Sequence, residues 1–449
     1  MSDALSSIGI ALVVLGVIIV IHELGHFLVA KFFKIKVETF SVGFGPRLFG
    51  FKYGETDYRI SALPLGGYVK MSGENPGDTI TGDPREFMSK PKWQRFLVAA
   101  AGPFMNIVLA VGLLTGLFMY GAEVAEYMSS IAIVGYVEPG SPAEQAGIRT
   151  GDRIVSIQGK ERPDWQDVGS RVFINPEQSL PVTVERDAQR IDVTLTPSRQ
   201  TNPDGGFSGM GPPYPGMVEQ VFPGKPAEKA GIEVGDEIVA VDGIDLKRHG
   251  ESLQTVLQEV KKETFPITVR RNGELKELSI SPVADENSGK KQKVIGIAID
   301  WPRVKIKLGF VDAFYLSLDK NKENATLILT VLGKLFKSPE NGGLPVGTLE
   351  GPIGIVRVSG NAFKLGLGPL IFVMAMISLN LGLLNLLPVP ILDGGVMLLI
   401  AIEGLIRRDL SLRVKERIVQ VSFVAMLMLT AFVIYNDIVK LLPSSPGNP

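Results

Sequence analysis

The stretch VVLGVIIVIHELGHFLVA, residues 13–30, carries two imidazoles and a carboxylate inside an otherwise apolar run. Ala4–Ile21 holds no charge and the apolar character continues to Ala30, enough for a bilayer core of about 30 Å, which takes about 20 helical residues. On a helix His22 and His26 stand at i and i+4, one turn apart on one face. Both rings can then reach a single Zn²⁺ while Glu23 projects beside them, an arrangement suited to activating a water. Ionisable groups are costly at membrane depth and read as functional there. The competing reading is a helix whose His and Glu face a polar cavity or a partner helix for structural reasons alone. The chain has 3 histidines, and the third, His249 in LKRHGES, reads as a solvent-facing surface residue.

Three further runs are free of charge: Phe96–Ala122, Leu365–Leu392 and Ile418–Asn436. Four spanning helices are predicted, over 4–30, 96–122, 365–392 and 416–440. The first is not read as a cleaved signal peptide, because no Lys or Arg precedes it and no small-residue cleavage site follows. The loop 31–95 has 11 Lys/Arg against 7 Asp/Glu, and Arg407, Arg408, Arg413, Lys415 and Arg417 lie between the last two spans. Basic loops stay inside. Both termini and the long segment 123–364 are therefore expected outside, in a bacterium the periplasm.

Two imidazoles leave a catalytic zinc one protein ligand short. Between Lys364 and Glu403 the one charged side chain is Asp393, in NLLPVPILDGG. Pro388 and Pro390 must break the helix there, which frees the backbone and lets Asp393 point into the bundle. The alternative is an interfacial cap where the helix leaves the bilayer. Asn106 and Asn380 are polar residues in apolar helices that either line a water cavity or hold helices together.

The rest of the 449 residues narrows the class. A 45% hydrophobic content excludes disorder, and the absence of cysteine excludes a disulfide scaffold and a zinc finger. With 46 basic and 47 acidic side chains there is no nucleic-acid footprint, so the bilayer is the expected surface.

The segment PGSPAEQAGIRTGDRIVSIQG (139–159) returns as PGKPAEKAGIEVGDEIVAVDG (223–243), with 13 of 21 positions identical. LPVTVERD (180–187) aligns with FPITVRRN (265–272) after a slippage of a single position, so a whole domain is duplicated, over 126–200 and 201–285. Both copies resemble circularly permuted bacterial PDZ domains. Such folds bind an extended peptide along a sheet edge; the rival role is a steric spacer that excludes large substrates.

In the inner loop, VETFSVGFG (37–45) and DYRISALPLGGYVKM (57–71) alternate and are punctuated by Gly and Pro, as hairpin strands are. These strands, with Gly66, Gly67 and Tyr68, are expected to dip toward the membrane and add an edge to an unwound substrate; the competing reading is an ordinary cytoplasmic sheet. Residues 286–364 are expected to be a partly helical outer segment, with 310–337 along the membrane surface and GGLPVGTLEGPIGI (342–355) a gating loop.

HExxH in the first span, Ala101-Gly102-Pro103 with Asn106 in the second, the duplicated outer domain and Leu392-Asp393-Gly394 in the third together resemble the site-2 protease family, over essentially the whole chain. The resemblance implies a multi-domain membrane protein: a four-helix transmembrane metalloprotease core with an inner β-hairpin region and two tandem PDZ domains (α+β) in the outer loop. It implies one zinc ion per chain on His22, His26 and Asp393, Glu23 as acid and base, and Asn385 as a residue that holds substrate. The implied substrate is a single-pass membrane protein, cut within its transmembrane segment after another protease has removed most of its outer domain. Anti-sigma factors and remnant signal peptides are the implied classes, and envelope stress signalling in the bacterial inner membrane the setting, with the active site toward the cytoplasm. A scaffold that presents PDZ domains would need a broken ligand set, and an ion transporter would need inverted repeats between helix pairs; the sequence has neither.

Overall fold

The structure, a computed structural model, describes residues 2–74, 81–125, 130–199, 205–213, 216–246, 253–284, 293–300, 303–335, 337–338, 342–345 and 351–441. His249 and residues 346–350 of the expected gating loop lie outside them. The chain forms two compact units. The first comprises Met1–Ala122, Lys307–Leu329 and Leu349–Pro443; the second comprises Glu123–Ile306, Thr330–Thr348 and Ser444–Pro449.

The first unit is built on helices α1 (Ser2–Phe32) and α2 (Lys92–Tyr120), with strands β1 (Val37–Tyr53) and β2 (Thr56–Met71) between them. After α3 (Phe310–Leu335), which belongs to this unit as far as Leu329, come α4 (Pro352–Leu365), α5 (Leu367–Asn385), α6 (Asp393–Leu405) and α7 (Leu412–Leu441). Among the described residues, four stretches are long and apolar enough to cross a membrane: Leu5–Phe32, Lys92–Tyr120, Leu367–Asn385 and Arg413–Val439. The uncharged run 365–392 is not one helix. It stops at Asn385, two prolines follow, and Asp393 opens α6. Pro388 and Pro390 offer no N–H to a continuing helix, so the chain turns.

Small residues let these helices approach. A Cβ on Gly25 of α1 would lie 2.4 Å from the Ala101 carbonyl oxygen of α2, and one on Gly382 of α5 would meet the Pro103 carbonyl at 3.0 Å. Polar ties close the ends. Asp437 of α7 accepts from the backbone N–H groups of Gly351, Ile353 and Gly354, donors that the start of α4 leaves without helical partners. At the end of α6, buried Glu403 pairs with Lys415 at 2.6 Å and accepts from the Leu410 N–H, while its backbone carbonyl takes Lys92 Nζ.

β1 and β2 are longer than a simple hairpin and double back. Residues 37–42 pair on one side with 67–71, 39–42 pair on the other with 57–60, and 47–53 pair with 56–61. The strand order is therefore 67–71, 37–44, 56–61, 47–53, with 67–71 paired on one side only among the described residues.

In the second unit each copy of the duplicated sequence has its own core, Ile154, Ile157, Val182 and Val184 in one, Ile238, Val241, Ile267 and Val269 in the other. The first holds the sheet order 160–161, 153–157, 180–186, 189–195 beside helix Trp165–Ile174, opened by a capping box of Asp164 and Asp167. The second holds Glu274–Ile280, Phe265–Arg271, Glu237–Val241, Met217–Val221 and Ile297–Asp300 in that order. This last strand lies beyond the expected boundary at 285, as Met210–Gly211, paired with Tyr136–Val137, lies beyond 200. Strands this short leave too little alternation to read. The same ion pair recurs in both copies: Arg186 grips Asp152 with two bonds of 2.7 Å, and Arg271 grips Asp236 likewise.

Candidate metal centre

His22 and His26 flank Gly25 on α1, whose missing side chain leaves room for the backbone of α2, and both are buried. A Cβ on Gly102 of α2 would stand 2.3 Å from His26 Nε2 and 2.8 Å from His22 Cε1, so the rings fill the space a side chain would need. Pro103 has no N–H for the Ala99 carbonyl and loosens that turn of α2. In the same turn the Val98 carbonyl receives the Nδ1–H of His26 at 2.8 Å, which turns Nε2 inward.

The two Nε2 atoms face one another at 3.2 Å, and the rings stand nearly perpendicular, 80° apart. Asp393 completes the group. Its Oδ2 is 3.1 Å from His22 Nε2 and its Oδ1 is 3.5 Å from His26 Nε2. The turn before α6 delivers it: a Cβ on Gly394 would be 2.3 Å from the Leu386 carbonyl and one on Gly395 2.1 Å from the Val389 carbonyl, so side chains there would open the turn.

Around a tetrahedral zinc, bonds of about 2.0–2.2 Å put neighbouring donor atoms about 3.3–3.6 Å apart. The observed separations, 3.2 Å between the imidazole nitrogens and 3.1 and 3.5 Å to the two different oxygens of Asp393, lie within a few tenths of an ångström of that spacing, and the donor set of two imidazole nitrogens and a carboxylate is one that leaves a fourth position open. Two facing ring nitrogens without a proton or a cation between them repel, which makes the cluster a cation cradle.

Glu23 follows His22 on α1 and accepts from the backbone N–H of Val69 in the 67–71 strand. Gly67 is packed against it, since a Cβ there would meet Glu23 Cγ at 3.1 Å. The outward edge of that strand thus runs past the carboxylate. Tyr68 stacks on Phe44 at 5.9 Å, and Gly66, at φ +126°, sits so close to the Phe44 ring that only a glycine fits. Asn106 is fully buried and its amide lies 3.2 Å from His22 Nδ1, a partnership that nothing in the chain's pattern signals. Asn385 is the half-buried last residue of α5, and Asn380 is exposed on the same helix without a hydrogen bond to the cluster. Gly102 stood in the sequence only as part of a motif; its role as a cradle follows from the packing.

Comparison with known proteins bears on this geometry. A family model described as Peptidase family M50 matches residues 10–429. The chain is 31% identical over 456 residues to the regulator of sigma E protease of Haemophilus influenzae, covering 97% of this chain and 99% of that protein. It is 32% identical over 454 residues to a putative zinc metalloprotease of Treponema pallidum, covering 96% and 98%. It is also 32% identical over 451 residues to the regulator of sigma-E protease RseP of Escherichia coli, again covering 96% and 98%.

Proposed function

The chain belongs to peptidase family M50, and from that membership as a zinc metalloprotease of the site-2 kind we propose that His22, His26 and Asp393 hold the ion and that Glu23 is the catalytic acid and base. The observation that carries this reading is the mutual spacing of the three donor groups beside Glu23. When bound, zinc supplies a Lewis acid that acidifies a water and polarises the scissile carbonyl. Glu23 takes the proton from the attacking water and passes it to the leaving amine. Its hydrogen bond from the Val69 N–H orients the carboxylate for this task.

The substrate is a transmembrane segment of a single-pass membrane protein, of the anti-sigma-factor or remnant-signal-peptide class, cut after its outer domain has been shortened. A helix hides its peptide bonds, and in lipid each backbone group freed by unwinding costs several kcal/mol unless it finds a partner. The outward edge of 67–71 offers such partners, so the unwound substrate adds there as a strand and lies beside Glu23. Gly66, Gly67 and Tyr68 keep that edge narrow, and Asn385 hydrogen-bonds the substrate from the end of α5. The sheet reaches into the membrane boundary, a placement supported by exposed Leu48, Phe49, Phe51 and Tyr53 on the opposite edge strand.

The two copies in 126–200 and 201–285, extended by Met210–Gly211 and Ile297–Asp300, act as tandem PDZ domains on the periplasmic side of the inner membrane, where they screen substrates by size or by peptide binding. Both termini face the same side and the metal centre lies toward the cytoplasm, in keeping with the basic loops. Anti-sigma cleavage by this enzyme would release an envelope stress response.

The test is cleavage of a tagged single-pass substrate by the purified full-length protein in detergent. Cutting within the span should stop on chelation, and Glu23→Gln should keep its zinc while turnover falls by at least about 10²-fold. Cleavage at the parent rate in Glu23→Gln would overturn the assignment.

A further inference from the structure

His26 has its proton placed by geometry. Its Nδ1 lies 2.8 Å from the Val98 carbonyl, which only accepts, so the proton is on Nδ1 and the Nε2 lone pair faces Asp393. His22 also turns Nε2 toward that point, 3.1 Å from Asp393 Oδ2. An uncharged imidazole that donates its Nε2 lone pair must carry its proton on Nδ1, and that N–H needs an acceptor. Its neighbour is the Asn106 amide at 3.2 Å.

The amide can face His22 with either its nitrogen or its oxygen, two orientations of the same shape. With Nδ2 toward the ring, Oδ1 is buried without a hydrogen-bond partner; with the amide turned over, Nδ2 takes that place. One amide atom goes without a partner either way, so counting bonds does not choose between them. The ring does. With the proton on His22 Nδ1, an amide N–H facing it would set two donors against each other.

We propose that Asn106 accepts the Nδ1–H of His22 through Oδ1 and is a positioning residue of the metal centre, holding one imidazole as the Val98 carbonyl holds the other. This rests on the reading of His22 as a zinc ligand. Asn106 is itself fixed from α5: it is fully buried, its backbone carbonyl takes the Ser378 hydroxyl at 2.8 Å, and a Cβ on Gly382 would meet its Cβ at 3.2 Å. The chain of contacts runs from α5 through Asn106 on α2 to His22 on α1. It links the helix that ends at Asn385 to the ion without passing through Asp393.

Partners of this kind orient a metal-bound histidine, and their loss typically weakens metal binding by about 10–100-fold. The experiment is zinc affinity of the full-length protein in detergent, by competition with a chelator, for the parent, His22→Ala, Asn106→Leu and Asn106→Asp. Asn106→Leu, close in size but without an acceptor, should bind about 10–100-fold more weakly, and Asn106→Asp, which accepts in either orientation, should recover most of that loss. An Asn106→Leu protein with the parent's affinity would overturn the proposal. Retention of zinc in His22→Ala would instead sink the ligand assignment beneath it. Should Asn106→Leu fail to fold, the parent decides. With only 3 histidines in the chain, the imidazole nitrogens are separable by ¹⁵N NMR of the zinc-loaded protein. A slowly exchanging proton on His22 Nδ1 supports the proposal, and a metal-bound or unprotonated Nδ1 refutes it.

Discussion

Gly102 decides whether two imidazoles can face one point. With the Cβ of an alanine 2.3 Å from His26 Nε2 and 2.8 Å from His22 Cε1, both rings would have to move. Displacements approaching about 1 Å at a reacting centre cost about 10²-fold. Gly102→Ala is therefore expected to lose zinc affinity and cleavage together while the helices stay assembled; chelator competition and circular dichroism would report the two effects separately. At this scale the sequence is most legible where chemistry and environment conflict. His22, Glu23, His26 and Asp393 stand out because ionisable groups in apolar runs demand a reason. Gly102 does not, and Asn106 stands out only as a polar residue in an apolar helix, with nothing to name its partner. A glycine or an asparagine in a membrane helix is common, and only the packing of α1 and α5 against α2 gives each its particular neighbour.

Among the elements, the doubled-back sheet carries the proposal on substrate. In an antiparallel pair alternate residues face outward, and Met71 and Val69 both turn their N–H groups away from β1, toward Glu74 and Glu23. Proline at 69 removes an outward donor and spares the inward ladder bonds of Tyr68 and Lys70. Losing the bond that orients Glu23, and setting a proline ring on the outward edge where substrate would add, should lower cleavage by about tenfold or more with zinc content unchanged. Undiminished cleavage by Val69→Pro would place substrate elsewhere. The sequence announced strands in 37–45 and 57–71 by alternation and turn residues, but not that 39–42 is paired on both sides, because register depends on bulges that alternation does not encode.

The paired arginine and aspartate of the duplicated segments give a second element-scale prediction. Burial pushes the Asp236 carboxyl up, but the hydrogen bonds from Arg271, the Glu233 backbone N–H and the nearby Lys276 charge outweigh it and hold its pKa below the ordinary 3.8. A carboxylate with a lowered folded pKa contributes stability above the unfolded value and loses it as pH falls through the folded one. Amide exchange in 237–241 and 265–271, corrected for intrinsic rates, should show constant protection between about pH 7 and pH 5 and a decline below about pH 4. Asp236→Asn should blunt that acid limb; an identical limb in the variant would remove Arg271 from the explanation.

Over the whole molecule, uncharged runs delimit the spans because a bilayer admits few alternatives. Where the uncharged run predicts one span over 365–392, the chain forms a helix, a proline turn and a second helix, and that break puts a carboxylate from far along the sequence beside two imidazoles of the first helix. The central claim is that these three side chains, and no smaller set, hold one ion. Zinc content of the purified full-length protein, parent beside His22→Ala and Asp393→Ala, tests it most directly. The account predicts one zinc per parent chain and substoichiometric zinc in both variants. A parent without stoichiometric metal, or full occupancy in Asp393→Ala, would contradict it.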